Sequence, residues 1–295
     1  MSTIKSQRGG KMDREARGVL YMVATPIGNL EDITLRALRV LKEVDLVAAE
    51  DTRRSKILLS AHGIKTPLRS LHEHNEKERS AEILSRLQNG KSVAYVSDAG
   101  TPCVSDPGRH LVRAARDNGI RVVPVPGACA LPAALSVCGF QAEPFLFCGF
   151  LPPRSNRRRR FLESIMEEEC SIIFYESPAR IRETLEDALD ILGDRQVMAA
   201  RELTKVFEEI REGKISELLA AWPGAGVKGE FTVMLQGAAR EPAVLSEREI
   251  GEQLLKILSE KGVSLRDAVA EAARRTQMPR KKIYDAALRI RREFP

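Results

Sequence analysis

A repeated alternation of short apolar runs and helical patterns constrains the fold of this chain more than any other feature. The runs at 19–24, 45–49, 92–96 and 121–125 have the length and composition of buried strands. A helical pattern follows each run after a short connection, and Asp32 is expected to cap the first of these helices. This order predicts a parallel sheet covered by helices on both faces.

Loops rich in glycine, proline and acidic residues follow the same strands. They lie at 25–30, 50–53, 97–108 and 126–128. In a parallel sheet, ligands bind beyond the carboxyl ends of the strands, and glycine lets the backbone approach a ligand closely. Although turns use the same residue types, the recurrence of such loops at one edge of a sheet predicts a ligand crevice.

Several kinds of catalytic site lack their sequence signature in this chain. No Gly-x-Gly-x-x-Gly follows the first strand, and neither Gly-x-x-x-x-Gly-Lys-Ser/Thr nor Gly-x-Ser-x-Gly occurs. His72 and His74 flank Glu73, but His-x-His alone is a weak signal, so we expect no metal site. The five cysteines are scattered without a Cys-x-x-Cys pair, which favours a reducing cytoplasm over a disulfide framework or a zinc ribbon.

Length and changes in composition predict four segments in the 295 residues. Residues 1–17 are polar and are expected to form a disordered leader that is not a secretory signal. An α/β domain at 18–140 is followed by a second α/β domain with a mixed sheet at 141–238, and 246–295 is helical. The strands of the second domain are predicted at 172–175, 197–201, 207–211 and 231–235. No run of 18 apolar residues occurs, so we expect no membrane span.

Basic residues are concentrated in two places. The net charge is +6, the segment 154–160 holds five arginines and no acid, and 246–295 holds 12 basic and 8 acidic residues. Such charge favours a polyanionic partner, although a charge run can also be a solvated helix face. The last two helical stretches have the outline of a helix-turn-helix, and the second opens on Arg280, Lys281 and Lys282.

Seven short motifs occur in one order, and together they closely resemble the ribosomal small subunit methyltransferase I family. They are Thr25-Pro26-Ile27-Gly28-Asn29-Leu30, Glu50-Asp51-Thr52-Arg53, the twelve residues 97–108, Pro126-Gly127, Phe174-Tyr175-Glu176-Ser177, Ala200-Arg201-Glu202-Leu203-Thr204-Lys205 and Lys228-Gly229-Glu230. The similarity extends from Gly18 to Gly237, and the motif at 97–108 is highly specific.

The resemblance implies a fold, an activity and partners. It implies the tetrapyrrole-methylase fold, with two α/β domains that hold S-adenosylmethionine in the cleft between them, followed by a small all-helical C-terminal domain. It also implies 2′-O-ribose methylation of a cytidine in the decoding centre of 16S rRNA. A homodimer is expected, with a C-terminal domain that helps to hold the rRNA of the small ribosomal subunit.

The same resemblance implies which residues contact the cofactor. They are Pro26, Asp98, Gly100, Thr101, Val104, Ala128, Tyr175, Ala200 and Gly229. An acid such as Asp98 can accept hydrogen bonds from ammonium or hydroxyl groups. Within 97–108, we expect the part from Asp98 to Val104 to form the floor of the site and Asp106 to cap the following helix.

Acids beside the strand-end loops are candidates for a general base that takes the proton of the ribose hydroxyl. The candidates are Glu50, Asp51, Glu176 and Glu202, with Arg53, Arg201 and Lys205 as residues that bind phosphate or lower the pKa of the hydroxyl. The alternative is a structural pairing of Asp51 with Arg53, or of Glu202 with Arg201.

The basic residues are expected to bind RNA phosphates. They are Arg154, Arg157, Arg158, Arg159 and Arg160 beside the cleft, and Arg280, Lys281 and Lys282 in the helical segment. Two other functions stay open: methylation of a tetrapyrrole carbon on the same scaffold, and RNA binding without catalysis. The second of these leaves the four strand-end loops without a role.

Overall fold

The computed structural model describes residues 18–222, 228–238, 247–258, 264–276 and 280–293. The leader predicted at 1–17 lies outside these residues. The chain divides into two compact units, Met1–Gly237 and Ala238–Pro295. Within the described ranges, no helix is long and apolar enough to cross a membrane.

Five parallel strands form the first sheet. They are β1 (Val19–Val23), β2 (Leu46–Ala49), β3 (Leu68–Ser70), β4 (Val93–Val96) and β5 (Arg121–Val125). Their order across the sheet is β3-β2-β4-β1-β5, and every neighbouring pair is parallel. The predicted parallel sheet is confirmed, and it places the carboxyl ends of β2, β4, β1 and β5 side by side.

Helices cover both faces of this sheet. They are α1 (Leu35–Glu43), α2 (Thr52–Ala61), α3 (Glu76–Gln88) and α4 (Arg109–Asp117). Successive strand residues point to opposite faces, so Val47 packs with α1 and α2 while Leu46 packs with α3 and α4. The cap of α1 differs from the prediction. Thr34 accepts the amide proton of Ala37 at 3.1 Å, because Asp32 lies in a separate 3-10 turn.

A second sheet of five strands follows in the same unit. Its strands are β6 (Phe145–Phe150), β7 (Ser171–Glu176), β8 (Gln196–Arg201), β9 (Glu209–Lys214) and β10 (Phe231–Leu235), and its helices are α5 (Ala130–Leu135), α6 (Ser155–Ser164), α7 (Ile181–Leu192) and α8 (Ile215–Ala221). The strand order is β6-β7-β10-β8-β9. β6 is parallel to β7 and the other pairs are antiparallel, so the predicted mixed sheet is confirmed.

Sequence patterns missed β6 and α8. β6 lies at the edge of the sheet, exposes Phe145 and Phe150, and shifts its register before Phe150. It therefore lacks the regular alternation of a half-buried strand. α8 has only seven residues, which is too short to show a helical period. β9 begins at Glu209 rather than at 207, because the chain still turns there and the amide of Glu208 donates to the carbonyl of Lys205 at 3.1 Å.

The arginine run predicted to bind RNA contains a structural ion pair. Arg158 on α6 is 1% exposed, and its guanidinium contacts Asp187 on α7 at 2.7 Å. Arg159 also contacts Asp187, at 3.0 Å, and pairs with Asp190. The prediction that Arg158 binds RNA is therefore wrong, because this buried side chain is out of reach of a phosphate.

Three helices form the second unit. They are α9 (Glu247–Leu258), α10 (Leu265–Thr276) and α11 (Arg280–Glu293). Their buried faces share one apolar cluster, which includes Leu254 on α9, Ala272 on α10 and Ile283 on α11. The predicted helical C-terminal segment is confirmed. The three basic residues of this segment that are predicted to bind RNA, Arg280, Lys281 and Lys282, are exposed at the start of α11.

The Arg158–Asp187 pair predicts a difference in stability between two neighbouring arginines. Replacing Arg158 with Met removes the main buried partner of the Asp187 carboxylate. We expect the free energy of unfolding of the first unit to fall by about 3 kcal/mol. Arg157→Met, at an exposed position, is the control and changes it by less than about 0.5 kcal/mol. Urea denaturation measures both, and equal stability of the two variants would contradict the structural role.

Candidate active site

Hydrogen bonds join the strand-end loops of the first sheet. Thr25, after β1, and Gly100, after β4, exchange backbone hydrogen bonds of 2.9 and 3.0 Å. The hydroxyl of Thr101 donates to the carbonyl of Ala128, after β5, at 3.2 Å. These loops therefore form one connected surface rather than separate turns.

Asp98 ties the loop after β2 to the same surface. The amide of Asp51 donates to Oδ1 of Asp98 at 2.8 Å, and the amide of Asp98 donates to Oε2 of Glu50 at 3.3 Å. A guanidinium nitrogen of Arg54, on α2, lies 3.7 Å from Oδ2 of Asp98. Asp98 thus connects two loops and presents a carboxylate beside an arginine.

Strands β7, β8 and β10 supply the opposite wall of a cleft of about 260 Å³. They contribute Tyr175, Ala200 and Thr232 to its lining. Phe147 and Phe150 contact the ring of Tyr175 edge-to-face, with centroid distances of 5.0 and 5.7 Å. The cleft therefore has one wall of loops with acidic groups and one wall that is partly aromatic.

Most of the residues predicted for the site line this cleft. They are Glu50, Asp98, Gly100, Thr101, Val104, Tyr175, Glu176, Ala200, Glu202 and Lys205. Predicted residues that the structure describes outside the lining are Pro26, Asp51, Arg53, Ala128, Arg201 and Gly229. The structure thus brings together predicted residues from motifs that are more than a hundred positions apart.

Acidic side chains outnumber basic ones in the cleft. Six acids line it, Glu50, Asp98, Asp106, Glu176, Glu202 and Glu230, with two bases, Arg54 and Lys205. Burial, together with the nearby charge of Asp98, raises the pKa of Glu50. A cleft with this balance of charge attracts cations and disfavours phosphates.

The carboxylate of Glu176 is occupied by bonds within the protein. It is 1% exposed. Its Oε1 accepts from the amide of Ser177 at 2.7 Å and from Arg180 at 2.6 Å. Its Oε2 accepts from the hydroxyl of Thr184 at 2.8 Å. These bonds fix the end of β7, and they leave Glu176 poorly placed to take a proton from a ligand.

Glu202 is paired as well, but with a different partner from the one predicted. Its Oε1 accepts from Nζ of Lys205 at 2.7 Å and from the amide of Glu230 at 3.1 Å. Arg201 instead contacts Glu209, at 3.0 Å. The predicted alternative of a Glu202–Arg201 pair is therefore wrong, and Lys205 neutralises Glu202.

Asp51 and Arg53 form a local pair at the start of α2. Asp51 caps the helix by accepting the amide proton of Arg53 at 2.8 Å, and it contacts the guanidinium at 2.7 Å. Hydrogen bonds from Arg53 lower the pKa of Asp51 to about 2. The structural pairing considered from the sequence is confirmed for these two residues, and Asp51 is a weak base at neutral pH.

The cap predicted at Asp106 is wrong. Glu76, on α3, accepts the amide protons of Gly108 and of the first turn of α4, at 3.1 and 3.0 Å. Asp106 lines the cleft instead. Burial and the nearby charge of Glu50 raise the pKa of Asp106 to about 7, although a hydrogen bond with Ser97 lowers it. The loop that precedes α4 thus gives the cleft an acid that its sequence position does not reveal.

Backbone strain is concentrated in two of the loops around the cleft. In the described part of the chain, the non-glycine residues with positive φ are Cys103, Ser105, Glu202 and Thr204. A left-handed conformation costs such a residue roughly 1–3 kcal/mol. All four lie in the loops after β4 and β8, so the fold maintains strained backbone on both walls of one cleft.

Two family models match this chain. The model of tetrapyrrole (corrin/porphyrin) methylases matches residues 19–219. The model of the RsmI C-terminal HTH domain matches residues 246–291. The first match includes nine of the ten strands, up to β9, and the second falls on the helical unit.

Named relatives match over most of the chain. A ribosomal RNA small subunit methyltransferase I from Pseudomonas aeruginosa is 49% identical over 276 residues, which are 92% of this chain and 97% of that protein. The enzyme of the same name from Thermotoga maritima is 52% identical over 220 residues, 75% of this chain and 99% of that protein. Among solved structures, a uroporphyrin-III C-methyl transferase from Thermus thermophilus, complexed with S-adenyl homocysteine, has a TM-score of 0.54 at 19% identity and covers 74% of this chain and 97% of that one.

The raised pKa of Asp106 predicts a pH-dependent contribution to stability. Because the folded protein holds this proton up to about pH 7, the contribution of Asp106 to stability declines as the pH rises through its folded pKa. Asp106→Asn removes that decline. We therefore expect the melting temperature of the variant, relative to the unsubstituted protein, to increase between about pH 5 and pH 8. Asp117→Asn, at an exposed position on α4, is the control, and a parallel pH trend in both variants would contradict the assignment.

Proposed function

Because this chain belongs to the ribosomal RNA small subunit methyltransferase I family, we propose that it methylates the 2′-hydroxyl of a cytidine in the decoding centre of 16S rRNA. The chain is a methyltransferase of that family, and S-adenosylmethionine is its methyl donor. The nucleotide and the atom that it modifies are the proposal. The observation that supports a methyl-transfer site is the acid-rich, partly aromatic cleft at the edge of the first sheet. The nucleotide and the atom follow from the family resemblance.

The chemistry of the cleft fits S-adenosylmethionine. This molecule carries a sulfonium and an ammonium, and the excess of acids in the lining suits both cations. Tyr175, Val104 and Phe231 provide apolar surface for its adenine. Carboxylates such as Asp98 accept hydrogen bonds from ammonium groups and ribose hydroxyls.

We assign the cofactor to the predicted residues that line the cleft. They are Asp98, Gly100, Thr101, Val104, Tyr175 and Ala200. Pro26, Ala128 and Gly229 would support the site from outside its lining. Gly229 has a φ of +91°, and a Cβ there would lie 2.2 Å from Cγ of Glu202. Only glycine therefore keeps that turn in place.

The bound cofactor supplies a methyl group on a sulfonium, whose sulfur leaves as a neutral thioether. The chain has to hold the ribose hydroxyl in line with that group, and such positioning offsets on the order of 7–11 kcal/mol of a barrier. Lys205 lines the cleft, and Arg53 is exposed at the start of α2. Lys205 is already paired with Glu202 and Glu230. We therefore assign the binding of an RNA phosphate near the reacting ribose to Arg53, which lies outside the lining of the cleft.

RNA must be held by residues outside the acidic cleft. Arg154, Arg157 and Arg160 are exposed at the start of α6, whereas Arg159 is half-buried and paired. We propose that the three exposed arginines bind phosphates. Arg280, Lys281 and Lys282 form a second basic group at the start of α11, and the match of this unit to an HTH domain supports the same role.

We also propose that the protein is a cytoplasmic homodimer. Its substrate is an rRNA of the small subunit, which is a cytoplasmic partner. Large apolar side chains are exposed near both edge strands of the second sheet, at Phe145 and Phe150 on β6 and at Val206 and Phe207 before β9. Exposed apolar patches of this kind favour protein–protein contact, and a second copy of the chain is the partner we expect.

The other functions considered from the sequence have less support. The likeness to the uroporphyrin-III methyl transferase, at 19% identity, concerns the fold alone. RNA binding without catalysis leaves the cleft unexplained. A methyl transfer assay with labelled S-adenosylmethionine separates the three functions. We expect label in the ribose of one cytidine of 16S rRNA, identified by nucleoside mass spectrometry. Label in a tetrapyrrole only, or no transfer at all, would overturn the proposal.

The proposed role of Asp98 predicts that removal of its negative charge lowers the affinity for the cofactor. Asp98→Asn keeps an oxygen that can accept the amide proton of Asp51, but it removes the negative charge from the cleft. We expect the Kd for S-adenosylmethionine to rise by about 10- to 100-fold, as for loss of a hydrogen bond to a charged group. Isothermal titration calorimetry measures this, with Asp117→Asn as an exposed control. Similar affinities in both variants would remove Asp98 from the proposed site.

The proposed RNA surfaces predict a change in salt dependence. Replacing Arg154, Arg157 and Arg160 with Gln, or Arg280, Lys281 and Lys282 with Gln, removes cations that bind phosphates. We expect the slope of log affinity against log salt for rRNA to fall in magnitude by about 0.7–0.9 for each phosphate that is no longer neutralised. The Kd for S-adenosylmethionine should not change.

A matched control exists on α1, where Arg36, Arg39 and Lys42 are exposed. Their replacement with Gln removes the same charge. If this variant and the other two flatten the slope equally, the effect reports net charge, and the assigned surfaces are wrong.

A further inference from the structure

The six acids of the cleft differ in whether a basic side chain of the protein pairs with them. Glu176 is held by Arg180, and Glu202 and Glu230 both contact Lys205, at 2.7 and 3.2 Å. Each of these three carboxylates therefore has a cation as its partner. These contacts occupy the three carboxylates with partners inside the protein.

The remaining three acids are Glu50, Asp98 and Asp106, on the wall of strand-end loops. Oδ1 of Asp98 accepts the amide proton of Asp51, and its Oδ2 lies 3.7 Å from a guanidinium nitrogen of Arg54. Glu50 accepts the amide proton of Asp98. Asp106 takes part in no ion pair among the described residues, and the nearby hydroxyl of Ser97 lowers its pKa only in part. Asp106 is thus a cleft carboxyl group without a cationic partner, on a loop of strained backbone.

We propose that Asp106 is the general base of the methyl transfer, and that Glu50 is a positioning residue that tunes it. This inference rests on the proposed function. The ribose 2′-oxygen forms a bond to the methyl carbon while the carbon–sulfur bond breaks, and that electron pair stays on sulfur. The proton of the hydroxyl passes to the carboxylate of Asp106, so charge and atoms balance.

The surroundings of Asp106 suit this role. Glu50, Asp98 and Glu230 are the nearby negative charges that raise its pKa, and the hydroxyl of Ser97 lies close enough to lower it. The phenols of Tyr95 and Tyr175 and the thiol of Cys103 are also close enough to interact with it. The cations in the lining are Arg54 and Lys205. Because burial and these acids raise the pKa of Asp106 to about 7, it is ionised in part at neutral pH and retains high proton affinity.

Single-turnover methyl transfer, with cofactor and rRNA both saturating, tests the proposal. We expect Asp106→Asn to slow transfer by about 10²- to 10⁴-fold, with the Kd values for S-adenosylmethionine and rRNA within about threefold of the unsubstituted protein. Asp106→Glu keeps a carboxyl group and should recover part of the rate, which separates loss of the base from a folding defect.

Glu50→Gln tests the positioning role. Because the charge of Glu50 raises the pKa of Asp106, its removal should move the rising limb of the pH–rate profile to lower pH. A second readout does not depend on activity: infrared difference titration of the cofactor-free protein. It should show a carboxyl group that titrates near pH 7, absent from Asp106→Asn and shifted to lower pH in Glu50→Gln.

Three results would overturn the proposal. Transfer by Asp106→Asn within about threefold of the normal rate would exclude Asp106 as the base. A loss confined to cofactor affinity would make Asp106 a ligand of the cofactor. A titration near neutral pH that persists in Asp106→Asn would assign that proton to another acid. An unsubstituted protein that transfers no methyl group to 16S rRNA would instead overturn the proposed function, and with it this role of Asp106.

Discussion

The hydrogen bonds between the strand-end loops fix the positions of the acidic side chains of the cleft, and the function of the first unit depends on them. Thr25 and Gly100 join the loops after β1 and β4, and Asp98 joins the loop after β4 to the one after β2. These are three adjacent strands of one parallel sheet. Because the bonds fix the loops relative to one another, acids from distant parts of the chain have defined positions before a ligand arrives, and little ordering cost is left for binding.

The acidic and the basic residues of the protein lie on different surfaces, which suit different ligands. The cleft is acidic, whereas exposed cations lie at the starts of α6 and α11. A cationic cofactor and an anionic RNA would therefore bind to different parts of the protein. Arg158 shows why a count of basic residues is insufficient, since its charge stabilises the contact between α6 and α7 through Asp187.

Local patterns predicted most of the fold and the location of the site. Apolar runs and helical periods depend on near neighbours, and parallel strands necessarily bring their loops to one edge. The errors come from partners distant in sequence. Glu76, which caps α4, lies 32 positions before Gly108. Nothing in the loop itself therefore indicates that Asp106 does not cap the helix and lines the cleft instead. The burial of Arg158 depends on Asp187, which lies 29 positions later in the sequence on α7. β6 lacks a regular apolar pattern because it is an edge strand.

The ribose methylation of 16S rRNA in cells with and without this protein tests the proposed activity most directly. Mass spectrometry of rRNA fragments measures it at each nucleotide of the decoding centre. We expect one cytidine to lose its 2′-O-methyl group when the protein is absent and to regain it when the gene is restored. An unchanged methylation pattern in the absence of the protein would contradict the proposed activity.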